Sequence, residues 1–329
     1  TVMSAVSLMR RARAAAVAPA ATPPTIKSFS FGTMVSPHLG GPARRGRLDE
    51  ADRHFLRALA LSQDGVSPDV VWPALLVLGD VAERRGDYAA ALRFDRQAAV
   101  LIDSLRVQQG SERPSVRLLA QRLFAFEALI HLLTRLQPEY PDSGFAAEAF
   151  HWSERSRARS FLDLVAASGG EGRPARPLTL AEAQRLIGSE KEALLAYSVG
   201  DSSTSLWIVT RRTWKHVALP ARRALKTRVE ILRHGLADPA TADAPATRAA
   251  ARALYRALIE PALPMLEGIE LLIVAPDGPL SFVSFEALLA ADAGRDGRPP
   301  RGAYLVERYA ISYTPSASAL ATRLEGRGA

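Results

Sequence analysis

The chain has 329 residues, 48% of them hydrophobic and 7% aromatic, with a formal net charge of +8 and no Cys. Its length suggests about two domains, and the lack of Cys excludes a disulfide framework, Cys-ligated zinc or iron–sulfur, and a Cys nucleophile within these residues. No run of 18 apolar residues occurs, so no membrane-spanning helix is expected.

The charge is unevenly placed. Residues 1–48 hold seven cations (Arg10, Arg11, Arg13, Lys27, Arg44, Arg45 and Arg47) and no acid, which leaves residues 49–329 at +1. The basicity therefore belongs to the start of the chain, and no specific nucleic-acid partner is expected for the body. Residues 1–45 read as a disordered basic tail, with Pro23-Pro24, Gly40-Gly41-Pro42 and no apolar period. An Arg-rich, acid-free start is also what an organelle transit peptide looks like. The apolar run Ala14–Ala21 is too short for a secretory signal and is broken by Pro19.

Residues 46–168 have a helical period, punctuated by Pro68, Pro114, Pro138 and Pro141. Gly79 suits a point where two antiparallel helices touch. Leu75 and Leu78 precede it, Gly86 makes the turn, and Tyr88, Ala91 and Ala98 fall on the second helix. Pro73 is expected in the first turn, where its missing N–H costs little. The second-helix frame recurs at Gly46, Leu48, Ala51, Phe55 and Ala58, and more weakly at Gly144, Ala146, Ala149, Ser153 and Ser156. This pattern resembles tetratricopeptide repeats, with spacings of 40 and 58 residues that imply enlarged loops relative to the usual ~34. An Ala-rich helical hairpin bundle is the rival reading. The repeat reading implies a protein or peptide partner bound by the helices.

Residues 169–178, from Gly169-Gly-Glu-Gly to Pro177, are a linker by composition. Thr179-Leu-Ala-Glu182 is a capping box that starts a new helix and a second region, 179–329. Leu194–Val199, Ser205–Thr210 and Trp214–Leu219 then read as an antiparallel meander. Ala221–Leu236 and Ala244–Leu263 read as helices, and Leu271–Ala275 as a strand buried on both faces. Pro276-Asp277-Gly278-Pro279 is a turn, Phe282–Leu289 is helical, and Tyr309–Tyr313 is a strand. Thr314 is expected to cap a helix that has Pro315 at its first position. Strands alternating with helices point to a partly parallel α/β sheet.

Catalytic patterns are sparse. There is no H-E-x-x-H, no phosphate loop and no G-x-S-x-G, and the six His residues lack metal-ligand spacing. No metal and no cofactor is expected. Gly200-Asp201-Ser202 imitates a hydrolase serine, but its strand flanks make it a hairpin loop. Arg155, Arg157 and Arg159 alternate along a helix, which reads as a solvated helix rather than a phosphate clamp. Ligands of open α/β sheets bind at the carboxyl ends of the strands. This makes Asp277 and Ser316 the candidate pocket-wall residues, each with a plain structural alternative as a turn and a helix start.

Three blocks carry a resemblance. His151-Trp-Ser-Glu-Arg-Ser-Arg-Ala-Arg-Ser-Phe-Leu-Asp-Leu-Val165 resembles the helix that ends the repeat region of CHAT-domain proteins. Leu271-Leu-Ile-Val-Ala-Pro-Asp-Gly-Pro-Leu280 with Phe285-Glu-Ala-Leu288, and Tyr304–Leu320, resemble the first blocks of the CHAT domain itself. Ser284 departs from the pattern, which usually has Pro before Phe-Glu. The resemblance implies an α+β multidomain fold: tetratricopeptide-like repeats followed by the N-terminal part of a caspase-like α/β domain. It also implies a His–Cys dyad that cleaves peptide bonds, in segments C-terminal to the Pro-Ser-Ala-Ser-Ala-Leu block. The chain is therefore expected to stop short of the dyad and to lack peptidase activity by itself. The full-length protein would be a regulated cysteine peptidase of the cytoplasm. The alternative is a non-catalytic protein–protein interaction scaffold.

Overall fold

A computed structural model describes residues 68–108, 116–167, 176–290 and 302–325. The tail expected at 1–45, the helical frame at Gly46–Ala58 and most of the linker expected at 169–178 lie outside them.

Helix α1 (Pro68–Arg84) and helix α2 (Tyr88–Gln108) are joined by three residues, so α2 runs back along α1. Gly86, at φ +79°, makes the reversal in the left-handed region that glycine enters without a Cβ penalty. The Asp87 carboxylate then accepts the Ala90 N–H at 2.9 Å and caps α2. The two helices approach closely at Gly79, where an added Cβ would stand 2.2 Å from Asp95 Oδ1. Ala91 and Ala98 are fully buried on α2. Pro73 departs from expectation: α1 starts at Pro68, so Pro73 lies inside the helix, where its ring removes one backbone donor. Helix α3 (Val116–Leu136) and helix α4 (Phe145–Ala167) follow. Gln137 Oε1 accepts the Ala146 N–H at 2.6 Å and so holds the start of α4.

The short helix α5 (Leu180–Arg185) has the expected capping box. Glu182 N–H donates to Thr179 Oγ1 at 3.3 Å, and Thr179 N–H donates back to Glu182 Oε2 at 2.8 Å. Strands β1 (Glu192–Val199), β2 (Thr204–Thr210) and β3 (Trp214–Leu219) form the antiparallel meander. Strand β4 (Leu271–Ala275) lies parallel to β1, and β5 (Ala310–Tyr313) lies parallel to β4. The sheet order is β3-β2-β1-β4-β5.

Strand alternation sends neighbouring residues to opposite faces. Leu194, Ala196, Trp207, Val209, Ile273 and Ala275 share one apolar cluster with α1–α4. Leu195, Tyr197, Leu206, Ile208, Leu272 and Val274 share another with helix α6 (Arg222–Ala237) and helix α7 (Pro245–Leu258). The central strands β1, β2 and β4 are thus covered on both faces, and the sheet's helical neighbours are held by specific bonds. Trp207 Nε1 donates to Ala146 O at 2.9 Å, and Tyr197 OH donates to Leu258 O at 2.9 Å.

Two expected helices are shorter than the apolar period suggests. α7 ends at Leu258 and a 3₁₀ segment runs over Glu260–Met265, because Pro261 and Pro264 supply no N–H and restrict the residue before them. Phe282–Leu289 is not one helix. Two 3₁₀ turns, Gly278–Phe282 and Phe285–Ala287, are separated by extended Val283 and Ser284. That break drops Phe285 into the core, 5.7 Å from the Tyr197 ring. Helix α8 (Ala317–Glu325) closes the described chain.

Candidate functional site

Because β1, β4 and β5 are parallel, their carboxyl ends open on the same side of the sheet. There the structure has a cavity of about 800 Å³ between these ends and helices α3 and α4. Ser198, Asp277 and Thr314 line it from the strand side, and Glu127, Ser153 and Arg157 from the helical side.

Asp277 stands in this wall. Its Oδ2 accepts the Val199 N–H at 2.6 Å, so the turn after β4 grips the end of β1. Gly278 follows at φ +52°, with Arg222 Nη1 3.4 Å from where a Cβ would sit. Arg222, at the first position of α6, ties several elements together. Its Nη2 donates to Glu127 Oε1 at 2.6 Å and to Val199 O at 2.7 Å, and its Nε donates to Asp201 Oδ1 at 2.8 Å. Burial holds the Glu127 carboxyl above the usual carboxylate range even though Arg222 pulls it the other way.

Ser316 lies behind the wall, not in it. It is buried, its hydroxyl accepts the Ala319 N–H at 3.0 Å, and its neighbour Pro315 reaches the cavity. This corrects the expected cap. Thr314 N–H continues the parallel ladder to Val274 O at 3.0 Å, and its hydroxyl donates to Ser316 O. Ser316 therefore caps α8 in place of Thr314, and the helix begins at Ala317, two residues beyond Pro315. Behind it, buried Glu154 of α4 accepts from Ser318 N–H at 2.8 Å, Ser318 Oγ at 2.6 Å and Ala317 N–H at 3.3 Å.

The Arg155–Arg157–Arg159 run is also corrected. Arg155 pairs with Asp103 and lies over the Trp152 ring, while half-buried Arg157 lines the cavity. Arg157 Nη1 meets Ala275 O and Pro315 O, each at 3.4 Å, and its Nε and Nη2 are buried without a hydrogen-bond partner. The Arg159 side chain lies outside the described residues. The signal for Arg157 was its position three residues after Glu154 and four after Ser153, on the helix face that both bury.

Tyr313 completes the rim. Its OH donates to Glu286 Oε2 at 2.7 Å and accepts the Phe285 N–H at 3.0 Å. Burial, with the Glu286 bond adding to it, pushes the phenol above its ordinary value. Elsewhere, Ser202 lies in the β1–β2 hairpin turn. Its neighbour Ser203 Oγ sits 3.2 Å from His131 Nδ1, and burial lowers that imidazole's pKa. Among the described residues no cluster of His, Asp and Glu could hold a metal ion, and no helix is long and apolar enough to cross a membrane. The site offers hydrogen bonds and charge to a ligand, with neither a thiol nor an imidazole among its described lining residues.

Residues 248–328 match the family model of the CHAT domain. No curated protein sequence matches the chain.

Proposed function

We propose that the caspase-like, peptidase-related domain marked by the CHAT match at 248–328 forms, together with the helices packed on its sheet, the substrate cleft of a regulated peptidase whose helices recruit a protein partner. The observation that carries this reading is the cavity at the carboxyl ends of β1, β4 and β5, the place where open α/β sheets bind ligands. In this reading residues 46–168 are tetratricopeptide-like repeats and residues 179–329 the N-terminal part of the caspase-like domain. The close Gly79–Asp95 approach and the buried Ala91 and Ala98 support the repeat register. The full-length protein acts in the cytoplasm, and the 329 residues contain no Cys. They supply scaffold and cleft, and a thiol acyl-enzyme needs a group from outside them.

The same lack of Cys favours a second reading, a non-catalytic interaction scaffold. Capped peptides bearing a benzophenone separate the two. Crosslinks at Ser198, at Pro276–Ser281 and at Tyr313–Pro315, with the peptide uncleaved, are expected for a cleft. Crosslinks confined to α1 and α2 would instead favour the scaffold. Cleavage by the purified chain would overturn the requirement for an outside thiol.

A further inference from the structure

The charged groups around the cavity are matched, with one exception. Arg222 is met by Glu127, Asp201 and the Val199 carbonyl, and Asp277 by the Val199 N–H. Arg157 is not met. Its contacts with Ala275 O and Pro315 O are 3.4 Å long, beyond the ordinary range for N–H···O bonds. Its Nε and Nη2 have no partner, and among the described residues no carboxylate forms an ion pair with it. An Arg cannot relieve this by losing its proton, and guanidinium nitrogens buried without partner or counter-charge are unfavourable even on a half-buried side chain. Two carbonyl dipoles orient a guanidinium but do not neutralise it.

We propose that the cavity is an anion-recognition site in which Arg157 is the counter-charge for a carboxylate or phosphate group of the ligand. The inference rests on the reading of the cavity as a ligand cleft and names the chemistry of what enters it. A volume of about 800 Å³ exceeds a lone ion and suits a ligand of several residues or a comparable small molecule. Ser153 and Ser198 bring neutral hydroxyls to the same space. Glu127 and Asp277 line the same space and disfavour a densely charged polyanion, so a single anionic group fits best.

The test uses fluorescein-labelled peptides, amide-capped at the C-terminus, that carry Glu, phosphoserine or Gln at one position, together with inorganic phosphate. Anisotropy gives affinity, and thermal melting gives protection. The Glu or the phosphoserine peptide is expected to bind at least tenfold tighter than the Gln peptide. Which of the two binds better identifies carboxylate or phosphate as the source of the charge. The preference should vanish in Arg157→Gln, and that variant should melt at or above the wild-type temperature without ligand. Equal affinity for the Gln peptide would leave the cleft standing and overturn the role of Arg157. Protection by phosphate that depends on Arg157, with no peptide bound, would keep the anion site and overturn the peptide cleft. No difference between wild type and Arg157→Gln toward any probe would overturn the anion site. A variant that melts far below wild type would make Arg157 a structural residue and overturn it too.

Discussion

Glu154 on α4 holds Ser318 on α8 by both its backbone N–H and its hydroxyl, across 164 residues of sequence. A carboxylate at a helix N-terminus satisfies donors the helix cannot satisfy itself and meets the positive end of its dipole. The same carboxylate also accepts from Ala317 N–H. One buried side chain of the helical layer thus fixes the loop that runs from β5 into α8 and forms part of the cavity wall.

Glu154→Leu is therefore expected to cost ~2–4 kcal/mol, because it leaves buried donors at Ala317 and Ser318 unmet. Urea unfolding should show a lower midpoint with an unchanged slope. Amide exchange at Ala317 and Ser318 should quicken more than exchange in β4. Uniform loss of protection across the sheet would contradict a local role.

Asp95 carries an opposite kind of electrostatic cost. Burial against α1, with Glu83 and Asp80 nearby, pushes its carboxyl up to about 7. A folded pKa above the unfolded one favours the protonated form, so its contribution is complete below the unfolded value of 3.8 and is lost as pH rises through about 7. The shift is worth roughly 4 kcal/mol. Asp95→Asn should raise the melting temperature at pH 8 and change it little at pH 4. Equal effects at both pH values would refute the assignment.

His216 on β3 acts in the other direction. Its ring lies 5.4 Å from Trp207, its Nε2 has no partner, and burial pushes its pKa down to about 4. The neutral ring is the folded form, so its contribution is complete above 6.5 and is lost as pH falls through about 4. The shift corresponds to roughly 3 kcal/mol. His216→Leu should flatten the fall in stability between pH 6.5 and pH 4 relative to wild type. A parallel fall in the variant would show that another group titrates there.

Ser284 has φ −75°, and Val283 before it is extended. Those are the angles proline imposes on itself and prefers in its predecessor. Ser284→Pro should stabilise the chain by about 0.4–1 kcal/mol, chiefly by restricting the unfolded state. The Ser284 Oγ bond to Glu286 is exposed and its loss should matter little. A variant that melts lower than wild type would show that the turn needs the serine.

Local patterns were the readable ones. The meander followed from alternating apolar residues, and the Thr179–Glu182 box from two residue types at fixed spacing. Leu271–Ala275 was legible because a strand covered on both faces is apolar throughout. What escaped the sequence depended on distant partners. Arg157 looks solvated until Ala275 and Pro315 are placed beside it. Thr314 and Ser316 are both good caps, and only the parallel bond from Thr314 N–H to Val274 O decides between them. The helical period over Phe282–Leu289 is real, but the burial of Phe285 beneath Tyr197 wins over it.

Trp207 belongs to a strand by sequence and to the helical layer by environment, with its indole bonded to Ala146 O and its ring edge-on to Phe150 at 5.6 Å. Neither layer can melt alone without leaving that indole in water, so calorimetry should record a single endotherm. Trp207→Ala, expected to cost ~3–5 kcal/mol, should lower that endotherm as a whole. A backbone nick between residues 168 and 175 should leave two fragments that still elute together, held by the seam between helices and sheet.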